Sequence, residues 1–181
     1  MSDTETAFAA DPNAQLSALG TELGKSTRWN GKTFTGKLED PVKKYSEPYK
    51  MGTNGRRFNA TLSDNSEQAQ LFLTKPTAGD GTQHVFATRV TSTGENVGIR
   101  FTIDGKGKMI GGPPQQVEYV NDHYAEVRQQ PADINKFAKD NGLADIVDAA
   151  QKAGILPLKW DEAMPKRQAS LRQAPTLTAN V

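Results

Sequence analysis

Apolar residues fall at every second position in Val97-Gly98-Ile99-Arg100-Phe101-Thr102-Ile103. Alternation of this kind puts Val97, Ile99, Phe101 and Ile103 on one face of a strand and Gly98, Arg100 and Thr102 on the other. Before this strand lies His84-Val85-Phe86-Ala87-Thr88-Arg89-Val90-Thr91, joined through Ser92-Thr93-Gly94-Glu95-Asn96. After it, Asp104-Gly105-Lys106-Gly107 is turn chemistry leading into Lys108-Met109-Ile110. Gly111-Gly112-Pro113-Pro114 ends or bends the run before Gln115-Gln116-Val117-Glu118-Tyr119-Val120 resumes it. Upstream, Phe58, Ala60 and Leu62 alternate, Leu71-Phe72-Leu73 reads as a short buried strand, and Thr33–Leu38 fits another. Met51-Gly52-Thr53-Asn54-Gly55 reads as a loop ending in an Asn-Gly turn. Roughly five to seven short strands joined by Gly, Asn and Asp turns predict an antiparallel sheet.

Helical spacing appears in three places. Asp11-Pro12 is a cap and first-turn pair, followed by Leu16, Leu19 and Leu23 on one stripe and a stop at Gly24. Residues 131–141 place Ile134, Phe137 and Ala138 together and stop at Gly142. Leu143, Ile146, Val147 and Ala150 form the apolar face of a second helix that ends at Gly154. The segment Ile155-Leu156-Pro157-Leu158-Lys159-Trp160 is expected to seal these helices onto the sheet. The fold class is therefore α+β: an antiparallel sheet or small partly open barrel, with a C-terminal helical hairpin and polar arms at both ends. Residues 1–30 are expected to be a polar N-terminal arm with one short helix, 31–160 a single domain, and 161–181 a polar C-terminal arm.

Composition narrows the picture. Of the 181 residues 35% are hydrophobic and the mean hydropathy is −0.65, low for a compact body unless polar arms extend from it. A formal net charge of +1 argues against binding nucleic acid by bulk charge alone. The charge is nonetheless uneven. Residues 1–23 hold four acids (Asp3, Glu5, Asp11, Glu22) and no base, whereas residues 25–57 hold nine bases and three acids. The chain has no cysteine, so it has neither a disulfide framework nor a thiolate site. The first residues lack the basic and apolar regions of a Sec signal peptide, and no apolar run approaches the ~20 residues of a membrane span. The expectation is a cytoplasmic protein, or one delivered or assembled without such a signal, that does not insert into a membrane.

Few residues promise chemistry. Gly31-Lys32-Thr33-Phe34-Thr35-Gly36-Lys37-Leu38 has the spacing of a phosphate-binding loop. Leu38 replaces the hydroxyl that such a loop needs, and Pro41 comes too soon for its helix. Two histidines, His84 and His123, without a clustered partner leave no expected metal site and no cofactor.

Arg89, the pair Ser92-Thr93, and Gln116-x-Glu118 follow one another in an order that resembles the residue set of arginine-directed ADP-ribosyltransferase toxins. The resemblance implies that Arg89 and Ser92 hold a nicotinamide dinucleotide, that Glu118 stabilises an oxocarbenium-like transition state, and that Gln116 orients the acceptor. It departs from the family where Ser92-Thr93-Gly94 reads as a turn and where Arg89 lies almost beside Ser92. Arg56 or Arg57 is the better-separated arginine.

A second lead is the basic segment, in which Lys25, Arg28, Lys32, Lys37, Lys43, Lys44, Lys50, Arg56 and Arg57 interleave with Trp29, Phe34, Tyr45 and Tyr49. Cations beside stacking aromatics are what single-stranded nucleic-acid binding requires. The same segment is also suited to pair with the acidic N-terminal arm of a neighbouring copy. Taken together, the residues favour a non-catalytic interaction or structural protein, a component of a larger assembly or an accessory factor of bacterial or phage origin. Its partner is expected to be a protein or a second copy, engaged through the terminal arms, with Leu16, Leu19 and Leu23 as the docking stripe.

Overall fold

A computed structural model of the chain describes residues 10–43, 45–47, 54–121 and 123–165. Helix α1 (Pro12–Leu23) starts where Asp11 accepts a hydrogen bond from the Asn13 N–H at 3.0 Å, with proline in the first turn. Eight strands follow: β1 (Phe34–Lys43), β2 (Tyr45–Glu47), β3 (Asn54–Leu62), β4 (Glu67–Thr74), β5 (Gln83–Thr91), β6 (Asn96–Ile103), β7 (Met109–Val120) and β8 (His123–Glu126). Helices α2 (Ile134–Asp140), α3 (Leu143–Lys152) and α4 (Trp160–Ala163) complete the described chain.

The strands form one sheet in the order β1-β3-β4-β5-β6-β7-β8-β2. Every pairing is antiparallel except β2 with β8. The sheet is α+β architecture as expected, and it is curled. Strand β1 stops at Lys43 at one end of the order, and β2 resumes at Tyr45 at the other. Eight flat strands would be roughly 34 Å wide at their usual spacing, yet two residues reach only about 7 Å. Lys43 and Tyr45 therefore lie close together, which requires the sheet to curl although it does not close. Ring contacts agree, since Tyr124 of β8 stacks on Phe86 of β5 at 4.5 Å and on Phe72 of β4 at 5.8 Å. Arg57 of β3 lies 4.9 Å over the Tyr119 ring of β7.

Curling gives the sheet a convex and a concave face, and both are buried at its centre. The convex face carries the alternating residues Phe58, Leu71, Val85, Ala87, Ile99 and Phe101, packed under the helices in the main core. The concave face carries a smaller cluster, Phe72, Phe86, Val117 and Tyr124, within a polar surround. Arg100 and Thr88, on the side of the strands away from the helices, are as buried as core residues.

The C-terminal hairpin is present with one shift. Asp133 caps α2 by accepting from the Lys136 N–H at 3.1 Å, so the helix begins at Ile134 and not at Pro131. Gly142 links α2 to α3 with φ +75°, a left-handed conformation that glycine adopts without strain. The closing segment seals the hairpin as expected. Ile155 and Leu156 are buried, and Trp160 meets Phe101 edge-on at 5.8 Å while its ring N–H donates to Asn135 at 2.6 Å.

Two expectations change. Asn54 and Gly55 are not a turn but the start of β3. Gly55 is required there because a Cβ would lie 2.6 Å from the Leu73 carbonyl and 2.6 Å from the Phe72 ring. The described part of the first thirty residues, 10–30, also packs against the domain. Leu19, Leu23 and Trp29 belong to the main core, which continues through Trp160 to Met164. Residues 1–9, residues 48–53, which include the expected loop Met51-Gly52-Thr53, and residues 166–181 of the expected C-terminal arm lie outside the described residues.

Candidate functional site

The described residues of the basic segment are not gathered on one aromatic and cationic platform. Trp29 is 3% exposed and donates its ring N–H to Glu67 Oε1 at 2.8 Å, while Phe34 meets it edge-on at 5.9 Å. A ring held this way is a core residue with one polar handle. Arg56 and Arg57 are taken by Asp40 and Glu39, at 3.1 and 2.5 Å. Arg28 lies along Gly142 and donates to the Asp140 carbonyl at 3.4 Å, capping α2. Lys25, Lys32 and Lys37 are exposed, and Lys25 is 3.5 Å from Glu22. The side chains of Lys43 and Tyr45, together with Lys44, Tyr49 and Lys50, lie outside the described residues.

Arg89, Ser92 and Glu118 are also not assembled as the toxin-like set implies. Arg89 points to the helical side, where Nη1 donates to Glu67 at 3.0 Å and Nε donates to the Asn141 carbonyl at 2.5 Å. Burial lowers its pKa, and Glu67 offsets part of that shift. Ser92 and Thr93 sit in the exposed turn between β5 and β6, and Glu118 pairs across to Ala125 at the far side of β7. Arg89 is thereby a structural clamp joining β4, β5 and α2.

The concave face brings together a cluster that periodicity alone did not reveal. Cross-strand register aligns Asn59, Gln70 and Thr88 in one row, and Glu39, Arg57, Phe72, Phe86 and Arg100 in the next. Glu39 Oε2 accepts from both Arg57 Nε and Asn59 Nδ2. Burial opposes the Arg57 charge, but the Glu39 hydrogen bond and the facing tyrosines hold its pKa above the ordinary arginine value. Tyr124 is fully enclosed, and burial pushes its hydroxyl well above the usual phenol range against the pull of Arg57. At the rim, His84 Nδ1 and Thr102 Oγ1 are 3.0 Å apart, and Arg100 donates to the same Thr102 oxygen at 3.1 Å. Burial, and then Arg100, keep His84 below its ordinary pKa. Polar groups here hold the curl together. Among the described residues no three His, Asp or Glu side chains cluster as metal ligands. His123, beside Asn121 at 3.2 Å, stands apart from His84 on β8.

The exposed feature with a definite chemistry is the edge of β1. As the terminal strand of the order it pairs with β3 on one side and, among the described residues, with no strand on the other along Phe34–Glu39. Ser63 N–H donates to the Thr33 carbonyl at 3.0 Å. Alternation along an antiparallel ladder therefore turns the backbone groups of Thr33, Thr35 and Lys37 towards β3 and those of Gly36 and Leu38 outward. Thr35, Gly36 and Lys37 are exposed. Helix α1 runs opposite to β1, with Leu16 over Gly36 and Gly20 over Phe34, and a groove of about 620 Å³ lies between them. A Cβ on Gly36 would sit 2.7 Å from Leu16, so glycine allows this close approach. Leu19 and Leu23 turn inward, leaving only Leu16 of the predicted stripe at the groove.

No protein-family model, no curated protein and no solved structure matches the chain.

Proposed function

We propose that the protein is a non-catalytic interaction component of a larger assembly, and that its contact surface is the outer edge of β1, which pairs with no strand among the described residues. The observation that carries this reading is the outward backbone of Gly36 and Leu38 on an exposed terminal strand, flanked by a groove. Unpaired edges of this kind are templates for an added strand, and natural sheets normally blunt or cover them. Lys37 gives the edge solubility while the chain is alone. The buried polar clusters support the same reading, because Arg57, Arg89 and Glu67 are all engaged in holding the sheet and helices together.

The test is amide hydrogen exchange in the free chain and in the complex it forms with itself or with a protein partner. The Gly36 and Leu38 amides exchange fast in the free chain and become protected in the complex. A complex in which both amides stay as fast as in the free chain refutes the edge as the contact.

A further inference from the structure

We propose that the occupant of the β1 edge is the β1 edge of a second copy, joined antiparallel about a two-fold axis at Gly36. The proposal rests on the reading of β1 as the contact edge and adds the partner and the register. Three observations carry it.

The first is the apolar side of the edge. Phe34 and Leu38 lie on the helical side of β1, and together with Leu16 of α1 they are only partly buried against the main core. A pairing centred on Gly36 sets Phe34 of each copy opposite Leu38 of the other. Cross-strand apolar pairs of this kind stabilise a sheet, and here each would complete the cover of a half-buried side chain. Gly36 at the axis adds no side chain of its own, and Leu16 already fills the space where its Cβ would lie.

The second is register and charge. In an antiparallel ladder, directly opposed residues exchange both backbone bonds or neither. Gly36 against Gly36, and Phe34 against Leu38, match outward-facing backbone with outward-facing backbone. On the other side of the sheet the exposed Thr35 faces the exposed Lys37, so no like charges oppose. Past the paired residues the same register brings Lys32 towards Asp40 of the second copy, both exposed. Opposite charges so placed steer encounter and fix register. Moving the axis to Lys37 sets the two Lys37 side chains against each other, which is destabilising, and turns Phe34 towards Asp40. Moving it to Leu38 carries the ladder into the irregular stretch between Glu39 and Val42.

The third is room in the helical layer. A copy added at β1 brings its own α1 to the same side of the enlarged sheet. The side of α1 that lines the groove is built of small residues, Ser17, Gly20, Thr21 and Gly24, so the two helices can approach closely. The helical face is also the convex one, and its curvature turns neighbouring helices apart.

The experiment combines sedimentation equilibrium on the parent chain with disulfide trapping. The chain has no cysteine, so an introduced thiol has no competitor. Thr35→Cys and Lys37→Cys are made in separate chains, mixed and mildly oxidised. Directly opposed residues fall within disulfide reach, whereas a residue and its own copy lie a diagonal apart. The parent dimerises with rising concentration, and the mixture cross-links at least about tenfold faster than either variant alone. Lys32→Glu weakens dimerisation by about tenfold, equivalent to roughly 1.4 kcal/mol, with an unchanged unfolding midpoint. Lys37→Cys that cross-links with itself as readily as in the mixture overturns the register. A parent that stays monomeric, with fast Gly36 and Leu38 amides, overturns the second copy as occupant and leaves the edge to another protein. A dimer in which those two amides stay fast overturns both this proposal and the reading of β1 as the contact edge.

Discussion

Glu67→Ala should be the most damaging single change outside the hydrophobic core. Glu67 opens β4, and its two oxygens hold two different parts of the protein. Oε1 accepts from Trp29 at 2.8 Å, and Oε2 accepts from Arg89 at 3.0 Å. The Arg89 side chain is 4% exposed and that of Glu67 is 16% exposed, so neither charge is well solvated. Alanine would leave a buried guanidinium with only the Asn141 carbonyl and would orphan the Trp29 ring N–H. Removing one partner of a buried pair costs about 3–5 kcal/mol, because the remaining charge stays desolvated. At roughly 2–4 °C per kcal/mol for a domain of this size, the midpoint should fall by about 6–20 °C. Urea unfolding of Glu67→Ala, Arg89→Met and the double variant separates the causes. The double variant should be less destabilised than the sum of the single changes, since it removes both charges together. A Glu67→Ala protein within about 1 kcal/mol of the parent would refute the reasoning, because it would show Arg89 finding solvent without cost.

Leu19→Ala should cost about 2–5 kcal/mol, as for other buried leucines, and chemical denaturation would show it. Loss below 1 kcal/mol would mean that α1 is not part of the cooperative body. Gly98→Ala places a Cβ 2.8 Å from Thr88 Oγ1 and 3.0 Å from the Ala87 carbonyl. Overpacking of this sort costs about 1–3 kcal/mol, and Thr88→Ala in the same chain should recover only part of it, since the carbonyl contact persists. His84 supplies a pH dependence. Its folded pKa lies below the ordinary value through burial and Arg100, so the unfolded chain binds the proton more readily. Stability should be level with respect to this group above about pH 6.5 and should decline as pH falls below it. Urea midpoints at neutral and mildly acidic pH, compared with those of His84→Gln, would isolate the slope; identical slopes would exclude His84 as its source. Finally, a labelled single-stranded oligonucleotide should leave Trp29 fluorescence unchanged, because the ring is buried; quenching at low salt would return the basic segment to consideration.

The periodic pattern of Val97, Ile99, Phe101 and Ile103 was enough to place β6 and its core face, and Asp11-Pro12 was enough to place the start of α1. Both signals are local, depending on side-chain alternation or on a cap within a few residues. The same holds for the α2–α3 hairpin, whose apolar spacing and glycine stops are read without knowing their neighbours. What alternation cannot supply is the fate of the opposite face. Gly98, Arg100 and Thr102 look equally suited to solvent or to an interior, and only the curl of the sheet encloses them. That curl depends on β2 pairing with β8 at the far end of the order from β1, a contact across more than seventy residues between Tyr45 and His123. The pairing of Glu39 with Arg57 and of Glu67 with Arg89 is equally non-local, and it turns arginines that resembled ligand-binding residues into structural ones. Sequence alone thus determined the central strands, α1 and the C-terminal hairpin, their inward faces, and the imbalance between an acidic start and a basic segment, but not β2, β8 or α4. Tertiary structure decided which charges are consumed within the fold and which strand edge has no partner strand among the described residues, because both depend on contacts between distant strands.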